Sequence, residues 1–366
     1  MTNPKPRVTA LTGAGASKPL GLPTMEALLP NAFESQLDVE ERHVFDMAAN
    51  WAGAQNPAVL DFELVFTLVD TIAHLGENDP VAMAFAPARA NAGGFQFKAT
   101  PGSYVAGGNL PAYRNAAASL AERLKRAVHE QLAEPNKALA VKLYHDLFRV
   151  LGAIIEAPGV IDLFTTNYDR AVEVSHETPA NVDFDLVRGF GRVGRARAPR
   201  WDPSLYDKAP GKRLTVKLYK LHGSLDWRRN GDVVEEVAAD EYVKGRNAVI
   251  YPIRKPVVEE PFTTLFGLFK QRLEKSDVCV VIGSSLRDEY IRQALVEWLA
   301  ADTLRLVIVD PHADDLGALL GRDLGPLGPD RLDRLVYKSN ARFGGSDDEV
   351  RDFEEKIRRA TNDAVP

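Results

Sequence analysis

Three short segments put chemistry-bearing side chains at the end of an apolar run. In "LFTTNYD" Asn167 and Asp169 stand at i and i+2, so at an extended strand end both project to one side. In "KLYKLHGS" His222 closes an apolar run ahead of Gly223 and Ser224. An imidazole so placed is suited to general-base work near neutral pH. In "VTALTGAGASKPLGLPT" a β-branched run leads into Gly13, Ala14, Gly15, Ala16 and Ser17. A strand, a Gly-x-Gly turn and a helix start together cradle a pyrophosphate in α/β proteins. The third glycine of the dinucleotide fingerprint is absent, so a variant of that device is expected. Gly13 and Gly15 are expected to supply positive φ and close approach to a ligand. The amides from Ala14 to Ser17 are expected to face phosphate, aided by the helix start that follows.

Two further run ends fit the same scheme. Gly283, Ser284 and Ser285 follow "DVCVVI" and offer backbone and hydroxyl donors. Asp310 ends "LRLVIVD" and is placed either to accept from a ribose hydroxyl or to cap the helix pattern after it. Asp169 also reads as an Asx turn or cap opening "DRAVEV". Asp288 and Glu289 read as first-turn helix acids, and the six histidines other than His222 as structural.

The elements that must position these groups follow from the hydrophobic pattern. Apolar runs starting at Arg7, Val160, Thr215, Asp277 and Leu304 read as strands buried on both faces. Helical patterns follow several of them: "MEALLPNAF", "DRAVEV" and "EYIRQALVEWLA". That alternation predicts an α/β fold, a Rossmann-like doubly wound parallel sheet that binds ligands at the carboxyl ends of its strands. From about 26 to 158 the apolar residues instead recur at three and four positions, which predicts a helical module inserted between the first two strands. The glycine-rich stretch from Ala88 to Pro111 interrupts it and is expected to be a mobile loop. Residues 1–320 are expected to form one catalytic domain with this insertion. Residues 321–366 should add a strand and a closing surface helix to it. "DWRRNGDVVEEV" predicts a hairpin turning at Asn230 and Gly231. The stretch from His176 to Lys212 reads as irregular, with Arg188, Arg192, Arg195, Arg197 and Arg200 around Phe190. It is a solvated loop or a clamp for phosphate or an acidic partner.

Composition sets the limits. The 366 residues, 45% hydrophobic and 26% charged, describe a globular chain of one large or two ordinary domains. A net charge of −6 argues against a surface built to coat nucleic acid. The single cysteine, Cys279, excludes an internal disulfide and a cysteine-built zinc site, and reads as a buried thiol. No signal peptide or membrane-length apolar run is visible, which predicts a cytoplasmic protein.

Taken in order, GAGAS, Gly21-Leu22-Pro23, Thr166-Asn167-Tyr168-Asp169, Leu221-His222-Gly223-Ser224, Gly283-Ser284-Ser285 and Val309-Asp310 resemble the sirtuin catalytic core. The chain is similar to SIR2-like proteins, and more to their bacterial anti-phage branch than to the protein deacetylases. The resemblance spans about Arg7 to Asp310 without the helical insert. It departs from the deacetylases at two places. Their paired CxxC zinc module after the HG motif has no counterpart here, and Gly-Ile-Pro-Asp-Phe-Arg is replaced by Gly21-Leu22-Pro23-Thr24-Met25-Glu26.

What the resemblance implies is NAD as substrate, with no metal. Gly13, Ala14, Gly15, Ser17, Thr166, Gly283, Ser284, Ser285 and Asp310 would bind it. Asn167 would order the nicotinamide ribose or a water, Asp169 would recognise the carboxamide, and His222 would act as base. The activity implied is NAD+ hydrolysis to nicotinamide and ADP-ribose, in a gated effector of anti-phage defence. Protein deacylation, ADP-ribosyl transfer and a non-catalytic NAD or ADP-ribose sensor are the alternatives. The same resemblance implies a homo-oligomer and a separate partner such as a HerA-type ATPase or a short Argonaute, without direct nucleic-acid binding or membrane attachment.

Overall fold

The β-branched runs become the strands of one parallel sheet. The computed structural model describes residues 6–24, 27–28, 33–55, 62–74, 96–100, 103–106, 110–155, 159–178, 183–192, 198–238, 242, 247–249, 259–325 and 328–364. The sheet strands are β1 (Val8–Thr12), β2 (Val160–Thr165), β3 (Phe184–Val187), β4 (Leu214–Lys220), β5 (Val278–Ile282), β6 (Arg305–Val309) and β7 (Val336–Ser339). Their order is β7-β6-β5-β1-β2-β4-β3, with every neighbouring pair parallel. From β1 the chain moves out to β2 and on to the edge strand β3, returns to place β4 between those two, then crosses back beside β1 to lay down β5, β6 and β7. The direction reverses between β1 and β5, and a ligand crevice in a doubly wound sheet opens at such a switch point.

The period-two alternation of the strands feeds two cores. Val8, Ala10, Ile161, Leu163, Val278 and Val280 face one side, and Leu11, Phe164, Tyr219, Cys279, Val281 and Ile308 the other. The first side is covered by helices α1 (Val39–Gln55), α2 (Phe62–Ala73), α3 (Leu110–Leu132) and α4 (Lys137–Ile154), all lying between β1 and β2 in sequence. The helix α5 (Ala171–Glu177) follows β2. The second side is covered by α6 (Phe262–Glu274), α7 (Glu289–Ala300) and α8 (Ala313–Leu324). The C-terminal helix α9 (Asp347–Ala364) returns to the first side through Phe353, Ile357 and Ala360. Cys279 is fully buried, and burial pushes its thiol up to about 12. Among the described residues no helix is long and apolar enough to cross a membrane.

The structure departs from the sequence reading in several places. β3 lies inside the stretch read as irregular, and so does part of a second, antiparallel sheet. That sheet runs Asn247–Val249, Gly223–Asn230, Val233–Glu236, Arg200–Trp201, Phe190–Gly191. Its hairpin turns at Gly231 and Asp232, one residue beyond the expected centre, with Gly231 at φ 62°. Two of the arginines of this region, Arg188 and Arg200, bind acids of the same chain. Arg188 pairs with Glu236 at 2.8 Å and Arg200 with Glu235 at 3.3 Å, while the Phe190 ring packs on Trp227 at 5.1 Å. Arg195 and Arg197 lie outside the described residues. Gln96–Thr100 and Ser103–Ala106 form a hairpin within the expected loop from Ala88 to Pro111. Most of "MEALLPNAF" is also outside the described residues.

Candidate functional site

Six of the seven parallel strands end on one cleft of about 990 Å³. It is lined by Gly13, Ala14, Gly15 and Ser17 after β1, by Thr166, Asn167 and Asp169 after β2, and by His222 after β4. Gly283, Ser284 and Ser285 follow from β5, Asp310 from β6, and the turn from Arg342 to Ser346 from β7. Every residue expected to bind the nucleotide or to act in catalysis therefore lines the same space. Glu63 of α2 and Leu132 of α3 bring the helical insert to its wall.

The glycine turn works differently from the expectation. Gly13 is extended, at φ −120°, and Gly15 sits within the single helical turn Ala14–Ser17. What excludes a side chain is the β5 loop: a Cβ on Gly13 would lie 2.7 Å from the Gly283 carbonyl, and one on Gly15 2.8 Å from the Gly283 Cα. The positive φ belongs to Gly283, at 59°. The Gly15 amide donates to the Gly283 carbonyl at 2.8 Å and the Ala16 amide to the Gly13 carbonyl at 2.9 Å. These two amides are thus spent within the protein, and a one-turn helix contributes little dipole. Three cations, Lys18, Arg287 and Arg342, also line the cleft, and none of them stands in a motif singled out from the sequence.

Asn167 and Asp169 do turn to one side, and what they share there is Ser17. Asn167 Nδ2 donates to the Gly13 carbonyl and to Ser17 Oγ, both at 2.9 Å. Ser17 Oγ in turn donates to Asp169 Oδ2 at 2.7 Å, and Asp169 Oδ1 accepts from the Ala171 amide at 2.9 Å. The Asx turn expected as the plain role of Asp169 is present through Oδ1, while Oδ2 is engaged by Ser17. Asn167 and Asp169 are both buried. The β1 and β2 loops are thereby tied into one polar network. Asp310 accepts from the His312 amide at 2.8 Å in a turn of the same kind, but the cap position of α8 belongs to His312 and no side chain caps that helix, so the capping reading of Asp310 does not hold.

Beneath these loops lies Lys220, the last residue of β4, almost wholly buried. Its Nζ donates to the carbonyls of Tyr168 and Asp169, to Glu173 Oε1 at 3.1 Å and to Ser224 Oγ at 2.8 Å. Burial pushes the Glu173 carboxyl above its usual range, and the Lys220 ammonium opposes that.

His222 stands where the chain leaves the parallel sheet, ahead of Gly223 at φ 86°. Its ring lies 6.3 Å from that of Tyr168 and 6.4 Å from that of Phe266. Its Nε2 is 2.9 Å from Asp288 Oδ2. Asp288 is also the cap of α7, with Oδ1 accepting from the Tyr290 and Ile291 amides at 2.9 and 3.2 Å. The sequence reading gave Asp288 only the helix role, since nothing local connects it to a histidine 66 positions away. Leu286 in the same loop is buried at φ 51°, a left-handed conformation found in leucine only where the surroundings enforce it. Among the described residues no group of three or more His, Cys, Asp or Glu is arranged to hold a metal ion.

No curated protein matches the chain by sequence. Among solved structures, a mutant Sir2 homologue in complex with ADP-ribose is similar at 16% identity, covering 97% of this chain and 93% of that one, with a TM-score of 0.39. A Sir2 homologue in complex with NAD is similar at 16% identity, covering 98% and 91%, with a TM-score of 0.38. A family model for the SIR2-like domain matches residues 162–320, a span that runs from β2 to α8 and contains Asn167, Asp169, His222, Gly283 and Asp310. Over this span the chain is similar to the SIR2-like domain.

Proposed function

We propose that the chain is an NAD+ hydrolase that cleaves the bond between nicotinamide and ribose, releasing nicotinamide and ADP-ribose. The observation that carries this reading is the convergence of Asn167, Asp169 and His222 with the Gly13 and Gly283 loops on one cleft, in a chain similar to the SIR2-like domain over residues 162–320. In the proposed pose the pyrophosphate lies along the Gly13 and Gly283 loops, near Lys18 and Arg287. The adenosine ribose meets Asp310. The nicotinamide end meets Asn167, Asp169 and His222.

Such cleavage passes through an oxocarbenium-like state, as in glycoside hydrolysis. The C–N bond breaks with its electron pair going to the nicotinamide nitrogen. A water oxygen bonds to the anomeric carbon and its proton goes to His222 or bulk water. Asn167 orders the water or the ribose, and Asp169 fixes the carboxamide through the oxygen shared with Ser17. Positioning rather than covalent chemistry supplies the rate.

In the same reading the protein is a gated effector in anti-phage defence, a homo-oligomer working with a separate partner protein. A freely running NADase would exhaust its own cell, which is why a gate belongs to the proposal. The test follows NAD and its products by chromatography. Wild-type protein should yield nicotinamide and ADP-ribose, His222→Ala should yield none while melting within a few degrees of wild type, and Asn167→Ala should lose kcat rather than KM. Full turnover by His222→Ala would remove the histidine from the chemistry. Products that appear only with an acylated peptide would replace hydrolysis by acyl transfer.

A further inference from the structure

We infer that Asp288 is a positioning residue for His222, holding the imidazole as the tautomer protonated on Nε2 so that Nδ1 is the basic nitrogen. The inference rests on the reading of His222 as the base of the site and says which of its atoms does the work.

A carboxylate is an acceptor only, so a ring nitrogen 2.9 Å from Asp288 Oδ2 is the one that carries the proton. A neutral imidazole has one remaining lone pair, which leaves Nδ1 to take a proton. The contact is shielded: the side chains of His222 and Asp288 are only 4% and 8% exposed. Asp288 itself cannot swing, because Oδ1 is held by two amides at the head of the twelve-residue α7. A helix cap needs one carboxylate oxygen. The second oxygen, buried against a histidine from the end of β4, does something that capping does not require. As the proposed water attacks, its O–H bond breaks and its proton passes to Nδ1. The resulting imidazolium keeps its Nε2–H bond to Asp288, whose negative charge stabilises it. The same division of labour operates in hydrolase triads, where the carboxylate orients the base without taking the proton.

Asp288→Asn separates the two roles. Asparagine caps helices as well as aspartate, so α7 is kept. Its side-chain NH2, turned to the ring, makes Nε2 the acceptor and moves the proton to Nδ1. We expect kcat to fall by about 10²- to 10⁴-fold, with KM within about threefold and melting within a few degrees of wild type. A second readout needs no turnover. Long-range ¹H–¹⁵N spectra of histidine-labelled protein, with the His222 signal assigned by its loss in His222→Gln, should show the Nε2–H form in wild type. In Asp288→Asn they should show the Nδ1–H form or a mixture. An unchanged tautomer, a wild-type Nδ1–H form or an unchanged kcat overturns the role. Wild-type protein that shows the expected tautomers yet never consumes NAD, even with its partner, overturns the hydrolase reading and leaves the pairing in place.

Discussion

A Cβ on Gly283 would sit 2.3 Å from the amide nitrogen of Ala16, and φ there is 59°, where L side chains are strained. Gly283→Ala must therefore bend its own backbone and push the β1 loop away. The strain alone costs about 1–3 kcal/mol, and the separation of the two loops widens the proposed pyrophosphate seat. We expect the variant to fold with a lowered denaturation midpoint and to lose the thermal shift that NAD gives the wild type. A variant that keeps both would show that these loops need not touch. The residue scale also shows why the glycine pattern alone was misleading. Gly13 and Gly15 are small because Gly283 presses on them, and a contact between positions so far apart leaves no mark in the local sequence.

Between elements, Lys220 performs the corresponding task. It ends β4 and reaches the carbonyls of the loop after β2, the first turn of α5 and the start of the antiparallel sheet. One ammonium thus fixes the loop that bears Asn167 and Asp169 relative to the one that bears His222. Lys220→Met leaves Glu173 buried without its partner, which in other proteins costs about 3–5 kcal/mol. Because Glu173 can escape by taking up a proton, the cost depends on pH. Its folded-state pKa is already raised by burial, and loss of the ammonium raises it further. A carboxyl with a raised folded pKa supports the fold below its unfolded value of about 4.3, and that support is lost as pH rises through the folded value. Urea midpoints should therefore show Lys220→Met closest to wild type near pH 5 and furthest below it near pH 8. Replacing Glu173 by Met as well should recover most of the loss. A pH-independent deficit would point to packing instead of charge.

Across the whole molecule, the insert meets both the phosphate turn and the cleft wall. The amide of Asn136, between α3 and α4, donates to the Leu20 carbonyl at 3.0 Å, just past the glycine turn. Glu63 and Leu132 line the cleft itself. A shift of the insert would therefore move the phosphate turn and the cleft wall together, and catalytic geometry is sensitive at about the half-ångström level. We expect the isolated chain to turn over NAD slowly and the rate to rise when the product of a neighbouring gene is added. Light scattering should report more than a monomer at micromolar concentration. Equal and fast turnover with and without the partner would show that the active state is the default.

The strand ends were legible from sequence because each depends on local chemistry: an apolar run, then glycine or a small polar residue. This is why all the residues chosen from β1, β2, β4, β5 and β6 meet in one cleft. The edge strand Phe184–Val187 was hidden because four residues amid charged sequence carry no period. The strand pairings at Phe190–Gly191 and Arg200–Trp201 are shorter still. Sequence determined which side chains stand at the mouth of the sheet. Only the tertiary structure decided what they hold: Gly283 against Gly15, Ser17 between Asn167 and Asp169, Lys220 under the loops, Asp288 on His222. Each of these joins separate elements, and such a pairing is fixed by how the sheet winds, which no local pattern records.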